Sequence, residues 1–259
     1  MSASSNRFAL LDSETTGSGS DRGSSVVSAQ HSSPLREIPI INLKLDRESG
    51  NGDPQNPPFL SHFPTIRTPQ TLQNFILPYI ASCFFVLDSQ LDINYFAKII
   101  NLLGAAPYIT QIAFSGFYWF SGVRDNRRSN PALMFAAQLP YLADVTLIFH
   151  TAGLTESCYG ERDRIRMESI NLEQSKSLRC IRLNDVIDFY DMRRLLECNN
   201  LQVLRLDLIK SSIVERYCQQ GDPASTYRDL IHWCRQNLFE KLGRPVTIDA
   251  KINGEMPGY

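Results

Sequence analysis

The sequence predicts an α/β fold built as an irregular solenoid, with parallel strands laid side by side and backed by helices. Three observations predict it. One apolar triplet recurs, as Ile109-x-x-Ile112-x-Phe114, Leu142-x-x-Val145-x-Leu147, Leu178-x-x-Ile181-x-Leu183 and Leu201-x-x-Leu204-x-Leu206. Each copy follows a stretch that reads as a helix closing on a tight turn. No copy carries enough apolar surface to exclude water alone, so neighbours must stack. Alternate side chains of a strand share a face, so the second and third apolar residues of each triplet are expected inward and their neighbours outward. The first residue sits on the turn entering the strand.

The elements follow in order. Residues 83–87 are expected to begin the sheet. Before Ile109, the residues Phe96, Ile99, Ile100, Leu102 and Leu103 form a helical face that Gly104 and Pro107 stop. Before Leu142 come Leu133, Met134, Phe135, Ala136 and Ala137, then Pro140. The lead-in to Leu178, residues 165–177, is charged, with Met167, Ile170 and Leu172 as its apolar positions. Before Leu201 come Met192, Leu195 and Leu196, then Asn199 and Asn200, which tolerate the left-handed conformation that ends helices. The first residues of successive triplets lie 33, 36 and 23 apart, so the units are irregular. Polar insertions at residues 120–130 and 153–166 are expected as loops on one edge. A last strand is expected over residues 245–252, after a helix over residues 225–241 that carries Tyr227, Leu230, Trp233, Cys234 and Leu238 and ends at Gly243 and Pro245.

Residues 1–60 read as tail and linker, and residues 61–259 as the folded domain. Residues 1–33 are crowded with Ser, Gly and Thr and are expected to be disordered, since they bury too little apolar surface to offset their ordering entropy. Within residues 35–46, Ile38, Ile40, Ile41, Leu43 and Leu45 suit either a strand pairing with the sheet edge or a segment that folds on a partner. Residues 50–58, rich in Gly, Asn and Pro, read as linker.

With 26 basic and 27 acidic residues the formal net charge is −1, which offers no footprint for nucleic acid or an anionic membrane. Arg124, Arg127 and Arg128 are interrupted by Asp125 and read as a solvated loop. Residues 99–123 carry no charge, but their period shifts from helical to alternating near Pro107, which suits a buried helix followed by a buried strand rather than a membrane span. The amino terminus lacks a basic region followed by an apolar run, so an intracellular setting, cytoplasmic or nuclear, is expected. The six cysteines form no Cys-x-x-Cys pair and have no regularly spaced His partners. Buried free thiols are expected, with no metal site and no cofactor.

Catalytic motifs are absent: the sequence holds no Gly-x-Gly-x-x-Gly, no Gly-x-x-x-x-Gly-Lys and no Gly-x-Ser-x-Gly. A non-enzyme is expected. His150 ends the Leu147-Ile148-Phe149 run, where it is either a hydrogen-bonded strand-edge residue or the catalytic group of a small α/β enzyme. Binding candidates are the outward residues Asp144, Thr146, Arg182, Asn184, Arg205 and Asp207. Arg182 and Arg205 occupy equivalent triplet positions, so they either stack toward an acidic or phosphorylated partner or are neutralised by Asp207 and Asp185. In the run of residues 117–120, Tyr118 and Trp119 are interface anchors if exposed and core if not.

The succession of helix, Pro- or Asn-containing turn and Leu-x-x-Ile/Leu-x-Leu/Phe strand, over residues 92–252, resembles the degenerate leucine-rich repeats of fungal F-box-type proteins. The resemblance implies a non-catalytic protein-interaction module whose concave sheet recognises a protein partner. Ligase-adaptor activity is not implied, because residues 64–79 offer only Leu72, Phe75, Ile76, Leu77 and Pro78 in a setting loosely similar to an F-box.

Overall fold

The computed structural model describes residues 37–63, 68–119 and 129–253. The expected disordered tail over residues 1–33 and the Arg124, Arg127 and Arg128 loop lie outside them. One compact unit begins at Ile38. Residues 38–60, expected as tail and linker, therefore belong to the domain: Leu43 and Leu60 sit in the same core as the central strands. Ile40–Asn42 is the edge strand anticipated within residues 35–46, but it lasts only three residues. Asn42 then accepts a hydrogen bond from the Leu45 backbone N–H and turns the chain into helix α1, Leu43–Ser49.

Six strands form one sheet in chain order. They are β1 (Ile40–Asn42), β2 (Phe84–Leu87), β3 (Gln111–Phe114), β4 (Asp144–His150), β7 (Val203–Ile209) and β9 (Thr247–Asn253), and each adjoining pair is parallel. Between β4 and β9 the chain builds a second sheet from β5 (Thr155–Ser157), β6 (Leu178–Cys180) and β8 (Cys218–Gln220). In it β6 pairs antiparallel with β5 and parallel with β8.

Three of the four triplets behave as the alternation predicts. Ile112, Val145 and Leu204 stand side by side in register, as do Phe114, Leu147 and Leu206, and all six are buried. The entering residues Ile109, Leu142 and Leu201 are buried too. Burying each such side chain stabilises the fold by about 1.5–3 kcal/mol, which is why the register cannot slip by one residue. Helices cover this face. After α2 (Pro69–Thr71), which buries none of its residues, they include a π turn over Leu72–Ile76, α3 (Leu77–Ser82), α4 (Gln90–Leu103), α5 (Pro131–Ala137) and, after further helices introduced below, α10 (Pro223–Leu242). An aromatic chain joins them to the sheet: Phe85 meets Phe96 of α4 at 4.5 Å, and Phe149 meets Tyr227 of α10 at 6.1 Å. Gly104 and Gly243 close α4 and α10 in the left-handed conformation that the sequence assigns to them.

The Leu178 triplet is a correction. Its strand, β6, lies in the second sheet; Arg182 caps helix α8 (Leu183–Phe189), and Leu183 opens that helix. The reason is its lead-in. Helix α6 (Glu161–Ile170) takes the last six residues of the expected loop over residues 153–166 and runs on past it, α7 (Leu172–Ser175) follows, and α6 buries none of its residues. A helix without an apolar face cannot back a strand of the main sheet. A second correction concerns the turn before Leu201. The left-handed residue there is Asp191, between α8 and the 3-10 turn Met192–Glu197, rather than Asn199 or Asn200. Helix α9 (Ser212–Tyr217) completes the set. Among the described residues no helix is long and apolar enough to cross a membrane.

Candidate functional site: the open sheet face

Register places the outward residues in rows. Gln111, Asp144, Val203 and Thr247 form one; Val86, Ala113, Thr146, Arg205 and Asp249 the next; and Ile148, Asp207 and Lys251 a third. His150, Ile209 and Asn253 end the face. Over β2, β3, β4 and β7 the opposite face is buried, while these rows are half-buried or exposed apart from Ala113, Thr146 and Ile209. Parallel sheets are ordinarily covered on both sides, so a face that no described residue covers is a departure that asks for a reason.

The rows divide by chemistry. Toward β1 and β2 the face is apolar, with Ile40 71% exposed and Phe84 and Val86 half-buried. Toward β7 and β9 it is charged. Arg205 donates from Nη1 to Asp144 Oδ1 at 2.7 Å and reaches Oδ2 at 2.6 Å across one strand gap. Burial raises the Asp144 carboxyl above its ordinary value, and the guanidinium pulls it back. Asp207 is also raised by burial, with Lys251 opposing and Asp249 reinforcing the shift. Lys251 Nζ lies 3.5 Å from Asp249. At the centre, Thr146 Oγ1 is buried without a hydrogen-bond partner.

Of the expected binding residues, the sheet thus brings together Asp144, Thr146, Arg205 and Asp207. Arg182 and Asn184 are exposed on α8, away from the rows, so the expected stack of Arg182 on Arg205 does not form. Nor does Asp207 or Asp185 bond Arg205; Asp144 does, because its carboxylate stands on the neighbouring strand one register step away. Tyr118 and Trp119 fall in a 3-10 turn, Phe117–Trp119. Phe117 is core, stacked on Tyr190 at 5.2 Å, whereas Tyr118 is half-buried with its ring 5.6 Å from that of His150.

His150 occupies the end of β4 as a cap. Its Nδ1 accepts the Ala152 backbone N–H at 3.0 Å, which leaves Nε2 protonated in the neutral ring, and burial lowers its pKa. A proton acceptor already engaged by backbone is poorly suited to general-base work. Sequence reasoning missed a cavity of about 410 Å³ at the carboxyl ends of β2 and β3, lined among others by Asp88, Ser89, Phe114, Gly116 and Asn130. Its polar groups are engaged: Ser89 and Asp92 cap α4 reciprocally, Asn130 caps α5, and Asp88 accepts from Ser115 Oγ at 3.1 Å. Gly116 was the available signal. A Cβ there would lie 1.7 Å from the Asp88 carbonyl oxygen, so only glycine lets the two strand ends meet. Among the described residues no three His, Cys, Asp or Glu side chains gather as a metal would require.

Searches against protein-family models, curated proteins and solved structures each found no match for this chain.

Proposed function

We propose that this chain is a non-catalytic protein-interaction module, a short and irregular leucine-rich-repeat-like solenoid that binds a protein partner across the open face of its parallel sheet. The observation that carries this reading is the sheet face left uncovered among the described residues, apolar over β1 and β2 and charged over β4, β7 and β9. The division suits a partner that lays apolar side chains against Ile40 and Val86 and polar groups against Arg205, Asp207 and Lys251. The resemblance to F-box-type proteins supports recognition of a protein substrate by this face, without the ligase-adaptor role that an F-box would add.

Photo-crosslinking tests it. A benzophenone amino acid placed at Ile148 or Thr247 on the face, or at Met134 on α5 as control, is irradiated in extract of the cells that produce the chain. The face positions should yield a discrete adduct that Met134 does not, and Arg205→Glu should abolish it. Equal adducts from Met134, or none from either face position, overturn the proposal.

The cavity favours a second reading, a small α/β enzyme, since ligands of open parallel sheets bind beyond the strand carboxyl ends. His150 does not line that cavity among the described residues, so an activity lost in His150→Ala but kept in Gln90→Ala would be needed to place chemistry at β4 instead.

A further inference from the structure

We propose that Cys180 and Cys218 form an oxidisable pair, a disulfide site that ties β6 to β8 when a peroxide reaches the chain. Their sulfurs lie 3.6 Å apart on adjacent parallel strands, and both thiols are free and partly accessible. Bonding distance is about 2.05 Å, so closure asks for a movement of roughly 1.5 Å, within reach of side-chain rotation at a strand edge. Of the other four cysteines, Cys83, Cys198 and Cys234 are buried in the core and Cys158 is half-buried.

The local backbone is shaped around this pair. Gly221 follows β8 at φ +85°, and a Cβ there would press on the Cys180 side chain at 3.0 and 3.1 Å. Only glycine leaves that space to the sulfur. Cys218 pairs in register with Leu178, two residues before Cys180 on the same strand face, so the two sulfurs meet diagonally across the β6–β8 pair beside its irregular step between Leu178 and Arg179.

The two thiols have different roles in the reaction. Burial, and then the neighbouring thiol, push Cys180 up to about 12, so it attacks peroxide poorly. Cys218 donates only weakly, to the Gln220 and Gly221 carbonyls at 3.8 Å, and is the group that peroxide meets. The Cys218 sulfur attacks one peroxide oxygen, the O–O bond breaks, and sulfenic acid and water result. The Cys180 sulfur then attacks the Cys218 sulfur and expels the hydroxyl as a second water. Two thiols and one hydrogen peroxide give one disulfide and two waters. The new bond encloses β7, which carries Arg205 and Asp207, between its two anchored ends.

The test uses the full chain treated with graded hydrogen peroxide, alkylated with iodoacetamide and digested with trypsin. The expected product is residues 180–182 joined to residues 217–228. It should appear at lower peroxide than any oxidation of Cys83, Cys198 or Cys234, vanish on reduction, and raise the midpoint of thermal unfolding by several degrees. Cys158→Ser should leave it unchanged, whereas Cys218→Ser should abolish it and leave Cys180 open to alkylation. Progression of Cys218 to sulfinic acid without the joined peptide overturns the proposal, as does a disulfide formed instead with Cys158. Should Cys218→Ser fold poorly, Cys180→Ser gives the complementary readout: Cys218 stops at sulfenic acid, which a dimedone adduct reports.

Discussion

Replacing Arg205 by Met tests whether the charged row belongs to the fold's own stability. Arg205 Nη1 contacts both carboxylate oxygens of Asp144, whose side chain is 13% exposed against 38% for the arginine. Two unit charges about 4 Å apart attract by about 4 kcal/mol at an effective dielectric of about 20. Solvent reaching Arg205 and the desolvation of both groups offset much of that, so its removal should cost about 1–2 kcal/mol near neutral pH. For a domain of this size the unfolding midpoint falls by about 2–8 °C. The sign with pH follows from linkage. Burial already holds the folded Asp144 carboxyl above 3.8, and losing the guanidinium raises it further. The folded variant then keeps a proton that the unfolded chain releases, so stability falls as pH climbs from 3.8 through the folded value. The deficit of Arg205→Met is therefore small in acid and full at neutral pH. Thermal unfolding followed by circular dichroism across that range measures it, and Asp144→Asn with Arg205→Met should recover most of the loss. A deficit that is the same at every pH, or within about 0.3 kcal/mol of zero at neutrality, refutes the reasoning.

Two further outcomes are expected. Gly116→Ala sets a methyl 1.7 Å from the Asp88 carbonyl oxygen, so the ends of β2 and β3 must part; a loss of about 2–3 kcal/mol in urea unfolding is expected, with Gly160→Ala, where a Cβ meets nothing within 4 Å, as the control. His150 is held below 6.5 by burial, so the unfolded chain binds the proton first and stability falls as pH drops below 6.5 toward the folded value. His150→Gln should flatten that part of the pH profile, which melting in buffers spanning the window will show.

Much of the sheet was legible because its signal is local. Ile112 and Val145 alternate with polar or small neighbours and Leu204 and Leu206 with Arg205 and Asp207, and burial of one face turns that alternation directly into register. The ends of α4 and α10 were legible for the same reason, since Gly104 and Gly243 act on their own backbone. The Leu178 triplet has the same spacing and a different fate, because its strand needed a helix with an apolar face and α6 offers none. Short-range pattern does not carry that information. Residues 50–58 looked like a linker from their glycines and prolines, yet Asp46 just before them accepts from the Phe59 backbone N–H just after them and from Tyr95 Oη at 2.7 Å, pinning the segment to α4 from far along the chain.

Sequence alone thus specified strands that alternate, helices that stop at glycine, and four of the residues that share the open face, since each of these depends on neighbours a few positions away. Which strand joins which sheet, that Asp144 rather than Asp207 holds Arg205, and that Cys180 meets Cys218 were decided by the packed chain. Those contacts join segments distant in sequence, and their energies depend on burial and distance, which exist only once the helices have closed over one side of the sheet.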